Sequence, residues 1–202
     1  MFKNVASDVL GLSDIGKIIA PKDYHQADSD DYILHEDGEK IYFLIKSKSD
    51  EYCFTNFALL HLDGSSATSK KRLLKRYNYK ENYITNVTLE TAGTVDLDIE
   101  IKFHLGNESY SIDVDKKDID RLKDLYKALL KIGSIQKENN LYLEYAHKSL
   151  DLATSSLKSY NNDAIAEQFK EINSYTFKWL KSTHQEFTKK DFGDVFEKYI
   201  NQ

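Results

Sequence analysis

The sequence has one cysteine, one proline and no long hydrophobic run. With Cys53 alone, no intrachain disulfide can form, which fits a reducing, cytoplasmic setting. With Pro21 alone, few segments are rigidly punctuated. The longest uninterrupted apolar run, Ile41 to Ile45, falls far short of the roughly 20 residues of a membrane-spanning helix. Asp8 and Asp14 break into the apolar pattern at the N-terminus, which argues against a secretory signal. The net charge of -5 speaks against general affinity for nucleic acid. What is present suffices for a core: 41% of the 202 residues are hydrophobic, in a length suited to one or two domains. The mean hydropathy of -0.58 fits a soluble chain.

Signatures of chemistry are also scarce. His25, His35, His61, His104, His147 and His184 are scattered, and none pairs at a spacing such as His-x3-His. No Gly-x-Ser-x-Gly elbow occurs. Cys53 lies in an aromatic run with no adjacent base, so a buried structural thiol is expected. Gly11 to Ile18 nearly matches a phosphate-binding loop, but Ile18 stands where a magnesium-binding hydroxyl belongs. Asp28 to Asp31 lack the spacing of a calcium loop and read as a solvated loop or helix start. Asp96, Asp98, Glu100 and Asp113 can share one sheet face, where a solvated surface is commoner than an acid–base pair. No catalytic, metal or cofactor residue is therefore assigned, and no enzymatic activity is expected.

The clearest pattern runs from Thr94 to Ile132. Val95, Leu97, Ile99, Ile101, Phe103 and Leu105 alternate with polar residues, as in a strand with one dry face. Gly106-Asn107 supplies a turn, and Tyr110, Ile112 and Val114 continue the alternation. Helical spacing then begins at Ile119 and runs through Leu122, Leu125 and Leu129. Asp115 can cap this helix, and Gly133 sits where a terminal glycine belongs. Upstream, strands are expected over Tyr32–Glu36, Lys40–Lys46, Glu51–Leu62, Lys70–Tyr79 and Tyr83–Thr91, separated by short turns. The run Ile41–Ile45 is long enough to be covered on both faces. Seven strands in all indicate an antiparallel sandwich or barrel. A helical stripe of Phe2, Val5, Ala6, Val9 and Leu10 precedes them.

Beyond Gly133 the patterns are helical throughout. Leu143, Ala146, Leu150, Ala153, Leu157 and Tyr160 step by threes and fours, a heptad seam. Asn161-Asn162 breaks the helix, and Ile165, Phe169, Ile172, Tyr175, Trp179 and Leu180 mark the next. Thr188 and Asp191 suit a capping box for a last short helix through Phe192, Val195, Phe196 and Tyr199. The division expected is a sheet domain over 1–133 and a helical-hairpin extension over 134–202. The seam needs a partner, either the sheet domain or a second copy of the chain.

One basic feature is concentrated: Lys70, Lys71, Arg72, Lys75 and Arg76. It can contact anionic lipid, phosphate or an acidic peptide, guard a sheet edge against unwanted pairing, or meet acidic surface on a neighbouring subunit.

Seven antiparallel strands followed by one amphipathic helix resemble the pleckstrin-homology (PH) fold, an α+β architecture. The runs Asp8–Ile19, Leu34–Ile41, Ser47–Asn56, Lys70–Tyr77 and Leu89–Asp98 are similar to those of bacterial PH-domain proteins of the YvbH-like type. That resemblance implies two nearly orthogonal sheets plugged by a helix, a helical extension linked to oligomerisation, and no established catalytic activity. Many eukaryotic PH domains bind phosphoinositides through basic residues around the first hairpin. The turn expected there, His35 to Glu39, is acidic, and Lys46 to Glu51 has mixed charge, so no lipid-binding residue carries over. The reading is a non-enzymatic binding or scaffold module that self-associates, with itself, another protein or a membrane surface as partner. The alternative is a membrane-peripheral binder of anionic lipid or phosphate through Lys70–Arg76.

Overall fold

The computed structural model describes residues 15–64, 72–91, 98–157 and 165–200. The stripe from Phe2 to Leu10, the residues Gly11 to Asp14, Lys70, Lys71, Val95, Leu97, Tyr160 and the break at Asn161-Asn162 lie outside them, as do the side chains of Ala153, Leu157, Ile165 and Phe169.

Two antiparallel sheets form the framework. The first has the order β1-β2-β3-β4-β5: Lys17–Ile18, Ile41–Lys46, Glu51–Thr55, Ala58–Asp63 and Leu73–Asn78. The second has the order β6-β7-β8: Ile84–Glu90, Asp98–Leu105 and Glu108–Asp115. Strands β7 and β8 follow the alternation read from the sequence, with Ile99, Ile101, Phe103, Leu105, Tyr110, Ile112 and Val114 all buried. Phe54 of the first sheet meets Phe103 of the second, and Phe103 stacks on Tyr110 at 5.1 Å between centroids. This interior is the main core.

Gly16 ties the sheets together. Its N–H donates to the Asp113 carbonyl at 2.8 Å, and its own carbonyl accepts from the Asp115 N–H at 3.0 Å. A Cβ here would lie 2.7 Å from Ile45 Cγ2 and 2.9 Å from the Asp113 oxygen, so only glycine allows the approach. The next two residues form β1, so the near-match to a phosphate loop is extended backbone at Gly16 to Ile18.

Helix α1 spans Ile119–Leu157. Asp115 accepts a hydrogen bond from the Lys117 N–H at 3.0 Å and so caps the 3-10 turn Lys116–Asp118 that leads into the helix. Leu122, Leu125, Leu129 and Ile132 are buried. Arg121 fastens the helix to the first sheet through the Ile18 and Ile19 carbonyls, at 3.1 and 2.9 Å. The helix does not end at Gly133, as the glycine suggested. A Cβ at Gly133 would stand 2.5 Å from the Ile84 carbonyl oxygen, so this glycine serves close approach of helix to strand. Helices α2, Ile165–Glu186, and α3, Gly193–Ile200, follow.

Three further expectations are corrected. Tyr32–Glu36 is not a strand: 3-10 turns occupy Asp28–Tyr32 and His35–Asp37. Both edges of β2 are taken, by β1 and β3, so the segment does not pair with that strand. It covers the outer face of the first sheet instead, in a second core of Ile19, Ile33, Leu44, Cys53, Ala58 and Leu60. Covered on both faces, β2 has the burial its apolar run indicated. Glu51–Leu62 is two strands, not one. The Thr55 hydroxyl accepts from the N–H groups of Phe57 and Ala58, at 3.0 and 2.9 Å, and turns the chain without glycine or proline. These two errors offset each other, and β1 brings the strands among the described residues to eight. Finally, Thr188 does not cap α3. Asp191 does so alone, accepting from the Gly193 N–H at 2.8 Å.

The chain divides into two compact units, 1–133 with 190–202, and 134–189. Residues 190–202 fall in the unit that holds the sheets. Phe192 and Phe196 are fully buried against Tyr79, and Phe196 stacks on Tyr42 at 5.4 Å. The Phe192 N–H donates to the Asn56 carbonyl at 2.8 Å, and Tyr42 donates to Glu197 at 3.1 Å.

Candidate interaction surface

Strand β5 carries the basic run along the edge of the first sheet. Its described cations all meet carboxylates within the chain. Arg76 reaches both oxygens of Glu39, a side chain 1% exposed, at 3.0 and 3.1 Å. Lys75 lies 3.0 Å from Asp63, whose hydrogen bond raises the lysine's pKa. Arg72 pairs with Asp28, which also stands 3.7 Å from Lys46. Lys70 and Lys71 lie outside the described residues. Charges on a sheet edge commonly discourage a stray strand from pairing there.

Glu39 was not singled out from sequence, yet it organises this corner. It accepts from the Thr55 hydroxyl at 2.6 Å and from the Leu34 N–H at 2.9 Å, besides Arg76. Its neighbour in role is Glu51, which accepts from the N–H and hydroxyl of Ser29 and pairs with Lys46 at 2.9 Å. Buried carboxylates need such saturation, because an unpaired charge there is expensive. No periodic pattern could have marked either residue.

The first hairpin of the fold is β2–β3, closed by the Ser47 N–H donating to the Asp50 carbonyl at 2.8 Å. The acidic stretch His35 to Glu39 is therefore not its turn. Asp50 stands 3.0 Å from His61, which stacks on Tyr52. Tyr52, Tyr77 and Tyr110 pack edge-to-face beside it as a filled aromatic cluster.

The outer face of the second sheet is polar. Glu100 stands directly opposite Asp113, and Asp98 opposite Asp115. Burial and then the charges of Glu100 and Asp98 push the Asp113 pKa up. Hydrogen bonds from Ser111 and Lys102 hold Glu100 down. His104 is exposed and contacts Asn86 at 3.2 Å. Cys53 is buried in the outer core, which pushes its thiol far above the ordinary range. Among the described residues, no group of three or more histidine, cysteine or acidic side chains is arranged to hold a metal. None of the described helices is long and apolar enough to cross a membrane.

Within the unit 134–189, the rings of Tyr142 on α1 and Phe187, just beyond α2, lie 5.4 Å apart. Of the heptad seam, Leu143, Ala146 and Leu150 lie on the less exposed side of α1, covered within the chain. Other apolar side chains point outward. Leu152 is 71% exposed, and Tyr175 and Phe177 are each 69% exposed.

Comparison with known proteins agrees with this organisation. The family profile described as "Bacterial PH domain" matches residues 9–133. A second, described as "YvbH-like oligomerisation region", matches residues 144–202. The chain is 58% identical over 203 aligned residues to the uncharacterized protein YvbH of Bacillus subtilis (strain 168), covering all of both chains. The crystal structure of a PH-domain-containing bacterial protein from Exiguobacterium sibiricum 255-15 is 52% identical, with a TM-score of 0.86 over 93% of this chain and 100% of that one.

Proposed function

This chain belongs to the bacterial PH-domain proteins that carry a YvbH-like oligomerisation region, and from that membership we propose a self-associating scaffold without catalytic activity. The observation that carries the reading is the exposure of apolar side chains on both helices of the unit 134–189. Leu152, Tyr175 and Phe177 keep most of their surface in water in the single chain. Burying each against a partner contributes about 1.5–3 kcal/mol. These residues fall inside the stretch that matches the oligomerisation profile. In this reading, Leu143, Ala146 and Leu150 of the seam pack the two helices together, while the outward side chains meet other copies. The sheet unit is then displayed repeatedly by the assembly, so weak contacts to a shared partner add up.

Binding of anionic lipid through Lys70–Arg76 gains less support. Arg72, Lys75 and Arg76 are occupied by Asp28, Asp63 and Glu39. Light scattering on the intact chain and on a Tyr175→Ser, Phe177→Ser variant tests the proposal. The expected result is an oligomer that loses mass in the variant. A variant that assembles as before removes these side chains from the contact.

A further inference from the structure

Helix α1 carries a second heptad row besides the seam. Glu138, Leu141, Tyr145, Lys148 and Leu152 follow steps of three and four residues, and every one is exposed. At 100° per residue the row lies about 160° around the helix from Leu143, Ala146 and Leu150. A helix with one partner needs one apolar stripe, and α1 has two on opposite sides. Leu141 is 41% exposed and Tyr145 54%.

The charged members decide what covers this row. In a parallel pairing of two α1 helices, identical positions meet. Glu138 would face Glu138 and Lys148 would face Lys148, so like charges oppose at both ends. In an antiparallel pairing about a two-fold axis near Leu143, Leu141 meets Tyr145 of the second copy and Glu138 meets Lys148. Symmetry repeats each contact. Four members of the row, Glu138, Leu141, Tyr145 and Lys148, are self-complementary in this arrangement, whereas the parallel one sets like charges opposite each other. Glu138 already accepts the Tyr142 hydroxyl at 2.9 Å through Oε1, which leaves Oε2 to face the ammonium.

We propose that α1 pairs antiparallel with α1 of a second copy of this chain, through two Leu141–Tyr145 layers closed at each end by a Glu138–Lys148 ion pair. The proposal rests on the self-assembly reading and specifies its geometry. Charge reversal in the intact chain tests it, read by sedimentation velocity across a concentration series, with circular dichroism confirming the fold. Glu138→Lys or Lys148→Glu alone places like charges opposite each other twice. The concentration of half-dissociation is expected to rise by about tenfold or more, since each 1.4 kcal/mol is a factor of ten. The double variant Glu138→Lys, Lys148→Glu restores opposite charges and is expected to assemble close to wild type. Single reversals without effect, or a double variant no better than the singles, overturn the antiparallel register while leaving self-assembly standing. A wild-type chain that stays monomeric overturns both.

Discussion

The Arg76 guanidinium holds the buried Glu39 carboxylate at both oxygens, Nη1 to Oε2 at 3.1 Å and Nη2 to Oε1 at 3.0 Å. A residue of the basic run is thereby committed to the interior of its own chain. Breaking one side of such a pair leaves an uncompensated buried charge, which costs about 3–5 kcal/mol. Arg76→Ala is expected to lower the stability of the sheet unit by that amount in urea unfolding. An unchanged midpoint would mean that the carboxylate is content without its partner.

The C-terminal helix is part of the sheet unit. Phe196 is fully buried, stacked on Tyr42 and packed against Tyr79. Truncating a buried phenylalanine costs about 3–5 kcal/mol. Phe196→Ala is expected to destabilise the chain by that much in thermal or urea unfolding. A loss below about 1 kcal/mol would assign α3 a marginal attachment instead.

Gly133 sets two effects against each other. Helix propensity alone favours alanine over glycine by about 1 kcal/mol. The Ile84 carbonyl oxygen, 2.5 Å from where the Cβ would sit, opposes it. Backbone yields less readily than a flexible side chain, and overpacking costs about 1–3 kcal/mol. Gly133→Ala is therefore expected to destabilise in urea unfolding. A gain in stability would show that the helix can slide away from β6.

Asp113 offers a pH test. Its folded-state pKa is raised above the ordinary carboxylate value, by burial first and then by Glu100 and Asp98. The folded chain thus binds this proton more tightly than the unfolded one. Ionised Asp113 opposes folding once the pH has risen through its raised pKa, and the opposition vanishes below the ordinary carboxylate range. Asp113→Asn is expected to raise the melting temperature at pH 7, with a gain that shrinks toward zero as the pH falls through that range. A gain that persists at pH 3 would trace to packing rather than charge.

The sequence was informative where one face of an element is wet and the other dry. Strands β7 and β8 and the first turns of α1 are of this kind, and their alternation or helical spacing survives into the fold. It was less informative where side chains replace glycine and proline as punctuation. Thr55 turns the chain between β3 and β4, so Glu51–Leu62 looks continuous. Gly133 has the composition of a helix end, but its role depends on a strand 49 positions earlier, Ile84. The carboxylates of Asp28, Glu39 and Asp63 are brought to Arg72, Arg76 and Lys75 only by tertiary folding, so the basic run looked freer than it is. The outward row on α1 was hidden by its own charges, since Glu138 and Lys148 interrupt the apolar pattern. The return of Phe192 and Phe196 to the sheets carries no local signal at all, because a short amphipathic helix does not encode which surface it covers.

The central claim is that the chain assembles with itself. The most direct test is the molar mass of the intact protein by multi-angle light scattering over a range of concentrations. A mass that is a multiple of the 23.4 kDa chain and falls toward it on dilution is the predicted result. A mass of 23.4 kDa at every concentration contradicts the account.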